Sequence, residues 1–376
     1  MNRYMLCFTA PILLAFLTTP LLAVDRCATF DLDPKPKWIS TVERNPASGE
    51  LLIADPKNRS LLAYDTKVNK MSEVRLSGEI PPASVTKVQG GFLIKYRDDA
   101  SIIGLDKKPI MTVNLRNTKA GGPTGLGSLY SNWITRGSTF VGYGSVVRAD
   151  LTTQEYNPAR GFQLGFVRGT VTASSGQFRN IELLEPTEDN NFYSLGFPYF
   201  AANDDGIFYV RMAGDQSSIV RVNENAVGDA AREPIRAFPE GFRTIHKLKT
   251  ENVGPSSTAA RYAEIEKSTM VVGLFGQGKF IYALTRRPDG EKTEWSLFQI
   301  DPKNPKTTGE VRLPTTAHHL SVVPGPDYWY LFERGEVKGW GDQRIDTLVR
   351  IPRAWIAEPA ASPLNAESPA VLTCSK

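Results

Sequence analysis

Arginine is the residue whose placement in this sequence most invites a chemical reading. Arg59, Arg97, Arg211, Arg286 with Arg287, and Arg334 each stand where an apolar run gives way to a polar loop. Tyr96, Tyr209 and Phe332 adjoin several of them. Guanidinium groups offered from several repeated loops around one opening suit bidentate capture of a carboxylate or phosphate. The predicted ligand-binding set is therefore Arg59, Tyr96, Arg97, Arg211, Arg286, Arg287 and Arg334. Histidine offers less: of His246, His318 and His319, none stands at metal-ligand spacing with another His or Cys. Neighbours on a strand point to opposite faces, so one of His318 and His319 can face inward as a general base. Neither can be paired with a nucleophile or an acid, and no Gly-x-Ser-x-Gly elbow is present. Gly121-Gly-Pro-Thr-Gly-Leu-Gly127 lacks the lysine of a phosphate loop and reads as a connection.

The elements that must carry those loops recur along the chain. A turn, an apolar strand, a polar loop and a second strand ending in Asp or Asn appear at 49–65, 91–106, 138–150, 206–223 and 279–301. A last copy at 328–351 has Pro352 in place of the acid. Asp and Asn bond backbone groups two residues on, which closes the turn after each hairpin. A more polar strand follows in two copies, Glu73-Val-Arg-Leu76 and Glu310-Val-Arg-Leu313. Such units cannot bury both faces alone, and stacking them around an axis does so. Their early spacing of about forty residues is that of one four-stranded blade. The fold class is all-β, a six-bladed propeller, with seven blades as the next choice and a two-sheet sandwich as the plain alternative. Residues 157–195 and 227–270 are expected to be insertions, outer hairpins or degenerate blades.

The first blade, Trp38 to Asp65 with its Asn45-Pro-Ala-Ser-Gly49 turn, resembles that of SMP-30/gluconolactonase-like and NHL-type six-bladed propellers. The hydrolases of the former family hold calcium or a related ion in the central channel on Glu, Asn and Asp ligands. The resemblance implies that Glu43 stands nearest the first-blade acid, although the family's Glu-Gly-Pro is here Glu43-Arg-Asn-Pro46. The later ligands have no match, since Asn203-Asp-Asp205 before Gly206 reads as a hairpin turn.

Residues 1–23 read as a secretory signal, with Arg3 before a short apolar run broken by Pro11. The mature chain then keeps two cysteines, Cys27 and Cys374, one near each end. An even count in an oxidising compartment predicts a disulfide between them, locking the closure of the ring. The propeller is expected over 24–356, followed by an extended tail, 357–376, tied back by Cys374. A formal net charge of +4 without a basic run excludes nucleic acid as a partner class.

These readings predict a secreted or periplasmic module that binds a small anion or another envelope or extracellular protein on the face carrying the arginine loops. The rival is a divalent-metal-dependent lactonase or esterase, with calcium in the channel and Glu43, His318 or His319 in its chemistry. A third is a structural part of an envelope complex. Channel residues separate the first two: three or more carboxylate and amide oxygens at the axis favour the enzyme, an apolar or merely polar channel favours binding.

Overall fold

The structure, a computed structural model, describes residues 27–376 except 77–80, 97–98, 115–123, 149–162, 187–197, 211–217, 237–268, 290–291, 305–308, 316, 318, 335–344, 367–373 and 375–376. The expected signal segment lies outside the described residues. Among those described, no helix is long and apolar enough to cross a membrane.

Each blade begins with an inner strand. These are β2 (Thr41–Arg44), β6 (Ser84–Val88), β10 (Thr124–Arg136), β14 (Tyr199–Asn203), β18 (Met270–Gln277) and β22 (His319–Pro324). The second strands, β3 (Leu51–Asp55), β7 (Gly91–Lys95), β11 (Thr139–Arg148), β15 (Gly206–Val210), β19 (Phe280–Asp289) and β23 (Tyr328–Arg334), pair antiparallel with them. Third strands follow at β4 (Ser60–Asp65), β8 (Asp99–Gly104), β12 (Gln163–Thr170), β16 (Ser218–Val222), β20 (Lys292–Ile300) and β24 (Ile345–Pro352). The outer strands are β5 (Lys70–Val74), β9 (Pro109–Asn114), β13 (Arg179–Pro186), β17 (Arg232–Arg236) and β21 (Gly309–Arg312). The sixth blade takes its outer strand from the start of the chain, β1 (Ala28–Asp31), which pairs with β24. Six four-stranded sheets result, and the first and last strands share one of them.

The middle strands explain why the sheets stack. β3 and β15 are buried along their whole length, so successive residues feed opposite faces of the sheet. Tyr282 and Leu284 pack toward the sixth blade, while Ile281 and Ala283 pack toward the fourth. Six apolar clusters result, one at each blade interface. The ring closes without an exposed seam, because Leu51, Ile53, Tyr330 and Phe332 fill the interface between first and last blades. Cys27 and Cys374 form the predicted disulfide across 347 residues of chain, with Cα atoms 4.9 Å apart.

Three local expectations change. The third repeat is one continuous strand, β11, rather than a hairpin, because Val146 pairs with Gln163 without interruption from Thr139–Thr170. Its outer partners β12 and β13 fall within the stretch 157–195 and pair antiparallel, the outer hairpin that was among the alternatives expected there. The tail is not extended where it is described. Arg353–Ala357 (α1) and Pro363–Ala366 (α2) are short helices joined through a 3-10 turn at Pro359–Ala361. Asn365 fixes this tail to the edge of β21, donating from Nδ2 to the Glu310 carbonyl and accepting from the Arg312 amide. Gly309 has no side chain because Pro359 lies where its Cβ would be. Likewise Gly127, in the glycine-rich stretch, belongs to β10 rather than to a connection.

Candidate functional site

Antiparallel strands place the first-to-second and third-to-fourth strand turns at one end of the ring. The second-to-third strand loops and the interblade connections open at the other end. The predicted arginine loops belong to that second end, and none of their described side chains lines the central cavity. Arg59 is exposed in its turn at positive φ. Arg286 lies within β19 opposite Trp295 and is buried, because the hairpin continues to Asp289 and Lys292. Arg287 faces Glu294 and Glu310, each 3.9 Å away. Tyr96 is buried in the interface between the first two blades. Arg334 ends β23, and Arg97 and Arg211 lie outside the described residues. Tyr209 is likewise interior: its hydroxyl donates to Glu185 at 2.8 Å, and burial raises its pKa.

The inner strands build a different site. Their penultimate residues, Glu43, Lys87, Thr135, Ala202, Gly276 and Val323, stand at one level around the axis, as the hairpin registers require. Two residues earlier come Thr41, Val85, Trp133, Phe200, Leu274 and Ser321, the next level up. All twelve line one central cavity of about 540 Å3. Among the described residues, its charged groups are Glu43, Arg44 and Lys87, all on blades one and two. The remaining lining is largely apolar, including Val272 and Phe275 besides Phe200 and Leu274. A second space of about 500 Å3 continues to the turn end, and Lys87 lines both.

Polar residues are needed here because an inner strand has an unpaired edge facing the axis. On β6 that edge is covered from both neighbours. Thr41 Oγ1 accepts the Val85 amide at 2.7 Å, the Glu43 carboxyl accepts the Lys87 amide, and Thr135 Oγ1 donates to the Lys87 carbonyl at 2.6 Å. Glu43 is thus a clamp between two blades as well as a channel group. Protein surrounds its carboxyl although part of the residue is open to the lumen. That desolvation raises its pKa from 4.5 to about 7, against the smaller opposing effects of the Lys87 amide and ammonium. Lys87 is exposed to the lumen and forms no ion pair among the described residues. On blade four, burial holds Tyr199 at about 12, so it stays a neutral wall of the cavity.

The turn end is braced around most of the ring. Asn45 Nδ2 donates to the Leu105 carbonyl, and the Lys107 ammonium meets Glu50 at 2.8 Å. The Arg136 guanidinium donates to the carbonyls of Asn203 and Asp204 and pairs with Glu224 at 2.8 Å. Asn203 closes the hairpin turn predicted for it, accepting the amides of Asp205 and Gly206, and its Nδ2 reaches the Lys279 carbonyl. Gln277 Nε2 donates to the Gly325 carbonyl. At Gly276 a Cβ would sit 1.9 Å from the Ala202 carbonyl oxygen, so blades four and five touch through backbone there.

This donor set does not fit the calcium that the resemblance implies. Calcium takes about six to eight oxygen ligands, whereas among the described residues one carboxyl, already committed to a backbone amide and flanked by a lysine, lines the central cavity. Among the described residues no three His, Cys, Asp or Glu side chains converge. His319 is exposed at the start of β22, outside the cavity lining, and His318 lies outside the described residues. Lys87 escapes a repeat-based reading of the sequence because the repeat begins at the second strand. The signal available was distance from the next strand: Lys87 precedes the buried Phe92 by five residues, as Thr135 precedes Phe140 and Gly276 precedes Ile281.

No protein-family model matches this chain, and no curated protein matches it. Solved structures do. Regucalcin, a calcium-binding protein of Agrobacterium tumefaciens, aligns at 11% identity and a TM-score of 0.48, covering 85% of this chain and 91% of its own. A gluconolactonase of Xanthomonas campestris aligns at 10% identity and a TM-score of 0.47, covering 88% and 96%. Hydrazine synthase of Kuenenia stuttgartiensis aligns at 11% identity and a TM-score of 0.44, covering 88% and 81%. Likeness at this level fixes neither activity nor ligand for this chain.

Proposed function

We propose that this protein is an exported binding module that holds a small organic anion, one with an apolar body, in its central channel. The observation that carries the reading is the composition of the channel wall. Among the described residues its charges are Glu43, Arg44 and Lys87 at one side of the turn end, and most of the other lining residues are apolar. A cavity of about 540 Å3 lies within the roughly 300–1,000 Å3 typical of small-molecule sites. The Lys87 ammonium and the Arg44 guanidinium are the groups to meet a carboxylate, while Phe200, Leu274 and Phe275 receive the body. The Cys27–Cys374 bridge supports an oxidising, extracytoplasmic setting. The braced turn end supports a preformed site, which lowers the entropy cost of binding.

Calorimetric titration with octanoate and with its neutral amide tests this. Octanoate is expected to bind at least tenfold more tightly than the amide, and Lys87→Met to remove the difference. Equal binding of the two ligands, or a difference unchanged in Lys87→Met, overturns the assignment.

One observation favours the rival hydrolase reading: a carboxyl that titrates near neutrality is suited to general acid–base catalysis. Ester or lactone turnover by the purified protein that is lost in Glu43→Gln would put that reading first.

A further inference from the structure

We propose that capture of an anion in the channel is coupled to uptake of one proton by Glu43, so that the protein takes up its ligand in mildly acidic surroundings and releases it in alkaline ones. The inference rests on the channel being the binding site, and adds to it the chemical condition under which the site is open.

The geometry makes Glu43 and an incoming anion competitors. Glu43 and Lys87 occupy the same level on adjacent inner strands, and the Glu43 carboxyl already accepts the Lys87 amide. A ligand carboxylate at the Lys87 ammonium therefore sits beside Glu43, where protein replaces much of the water that would screen two negative charges. Once Glu43 is protonated the competition ends. Its O–H becomes a donor to the ligand, while its carbonyl oxygen can keep the Lys87 amide.

Among the described residues lining the cavity, Glu43 is the carboxyl, and no histidine stands beside it. Its own strand carries the Arg44 guanidinium, and on β6 the facing group is Lys87. On β10 Arg136 is engaged with Glu224 and two carbonyls. On β14 Tyr199 stays protonated to about pH 12. The part of β22 lining the cavity carries no ionisable side chain, and on β3, which pairs with β2, Asp55 accepts the amides of Lys37 and Trp38 at the far end of the strand. The free carboxyl titrates near pH 7, and coupling is reciprocal: a bound anion raises the proton affinity of Glu43 by the factor by which the proton raises anion affinity.

Octanoate is the probe, titrated calorimetrically between pH 5.5 and 9 in buffers of different ionisation enthalpy, so that protons exchanged on binding are counted directly. The expected result is affinity that is flat below about pH 6.5 and falls toward tenfold per pH unit above about pH 7.5, with close to one proton taken up at pH 8. Glu43→Gln is expected to bind with the low-pH affinity at every pH and to take up no proton. Binding without proton uptake at pH 8, or uptake that persists in Glu43→Gln, overturns the coupling and leaves the channel site standing. No octanoate binding at any pH overturns the channel site, and the coupling with it. Should Glu43→Gln fold poorly, Glu43→Leu serves the same count of protons.

Discussion

The buried position of Glu43 makes its ionisation a stability term that can be measured without any ligand. Its pKa stands at about 7 in the folded protein, against an ordinary value of 4.5. Below pH 4.5 the group is protonated whether the chain is folded or not, and it costs nothing. As pH rises past 4.5 the unfolded chain gives up this proton while the folded protein keeps it, so stability falls until about pH 7 and is level above. At about 1.4 kcal/mol per pH unit the difference amounts to about 3 kcal/mol. Glu43→Gln removes the ionisation but keeps an oxygen to accept the Lys87 amide. The variant is therefore expected to gain on the parent by about 3 kcal/mol between pH 4.5 and pH 8. With an unfolding entropy of about 2.1 cal/mol/K per residue, that is a relative rise of about 4 °C in melting temperature. Calorimetric melting of both proteins across this range is the assay, and other titrating groups cancel in the comparison. Lys87→Met extends it: with the ammonium gone, the stability loss should continue to higher pH. A parent–variant difference that is the same at pH 4.5 and pH 8 would refute the claim that desolvation governs this carboxyl.

Further predictions follow from the way the ring is closed and braced. Replacing Cys374 with Ala opens a loop of 347 residues, for which the chain-entropy relation gives a loss of about 6 kcal/mol, read by guanidinium unfolding. Arg168 is buried and donates to the Asn223 and Ala226 carbonyls as well as to Glu182, tying blade three to blade four. Arg168→Ala should cost about 3 kcal/mol by leaving two carbonyls without their donor and Glu182 with the Gly228 amide but no cation, measured by urea unfolding. Gly276→Ala forces a methyl against the Ala202 carbonyl and should destabilise by about 2 kcal/mol or more, with weakened octanoate binding as the channel wall shifts. Charge reversal at Arg59, exposed on the opposite end of the ring, should leave octanoate affinity unchanged.

Much of this fold is legible in the sequence because a blade is local. Strand alternation, turn glycines and the Asp or Asn that closes each hairpin all act within about twenty residues, and they locate the middle strands in five of the six blades. The third resisted because Gly144 and Ser145 interrupt the apolar pattern of a strand that nevertheless runs unbroken from Thr139 to Arg148. With Cys7 assigned to the expected signal segment, Cys27 and Cys374 were left as each other's partner, and they pair. The tail's helices were not legible, because segments of four or five residues carry no periodicity.

The channel is another matter. Thr41, Lys87 and Thr135 read as ordinary polar residues of surface strands, and so they are, except that the surface is the inside of the ring; Glu43 was reached only through the first-blade resemblance. Only closure brings the Glu43 carboxyl to an amide 44 residues further along the chain, and only the surrounding blades remove the water that would keep its pKa ordinary. The arginine loops show the reverse. Their spacing suggested a shared rim, but register along β19 turns Arg286 into the interior and sets Arg287 between two glutamates. Sequence determines a blade because the forces involved are short-ranged. What the blades do together depends on which edges remain unpaired at the axis, and that is decided when six sheets meet.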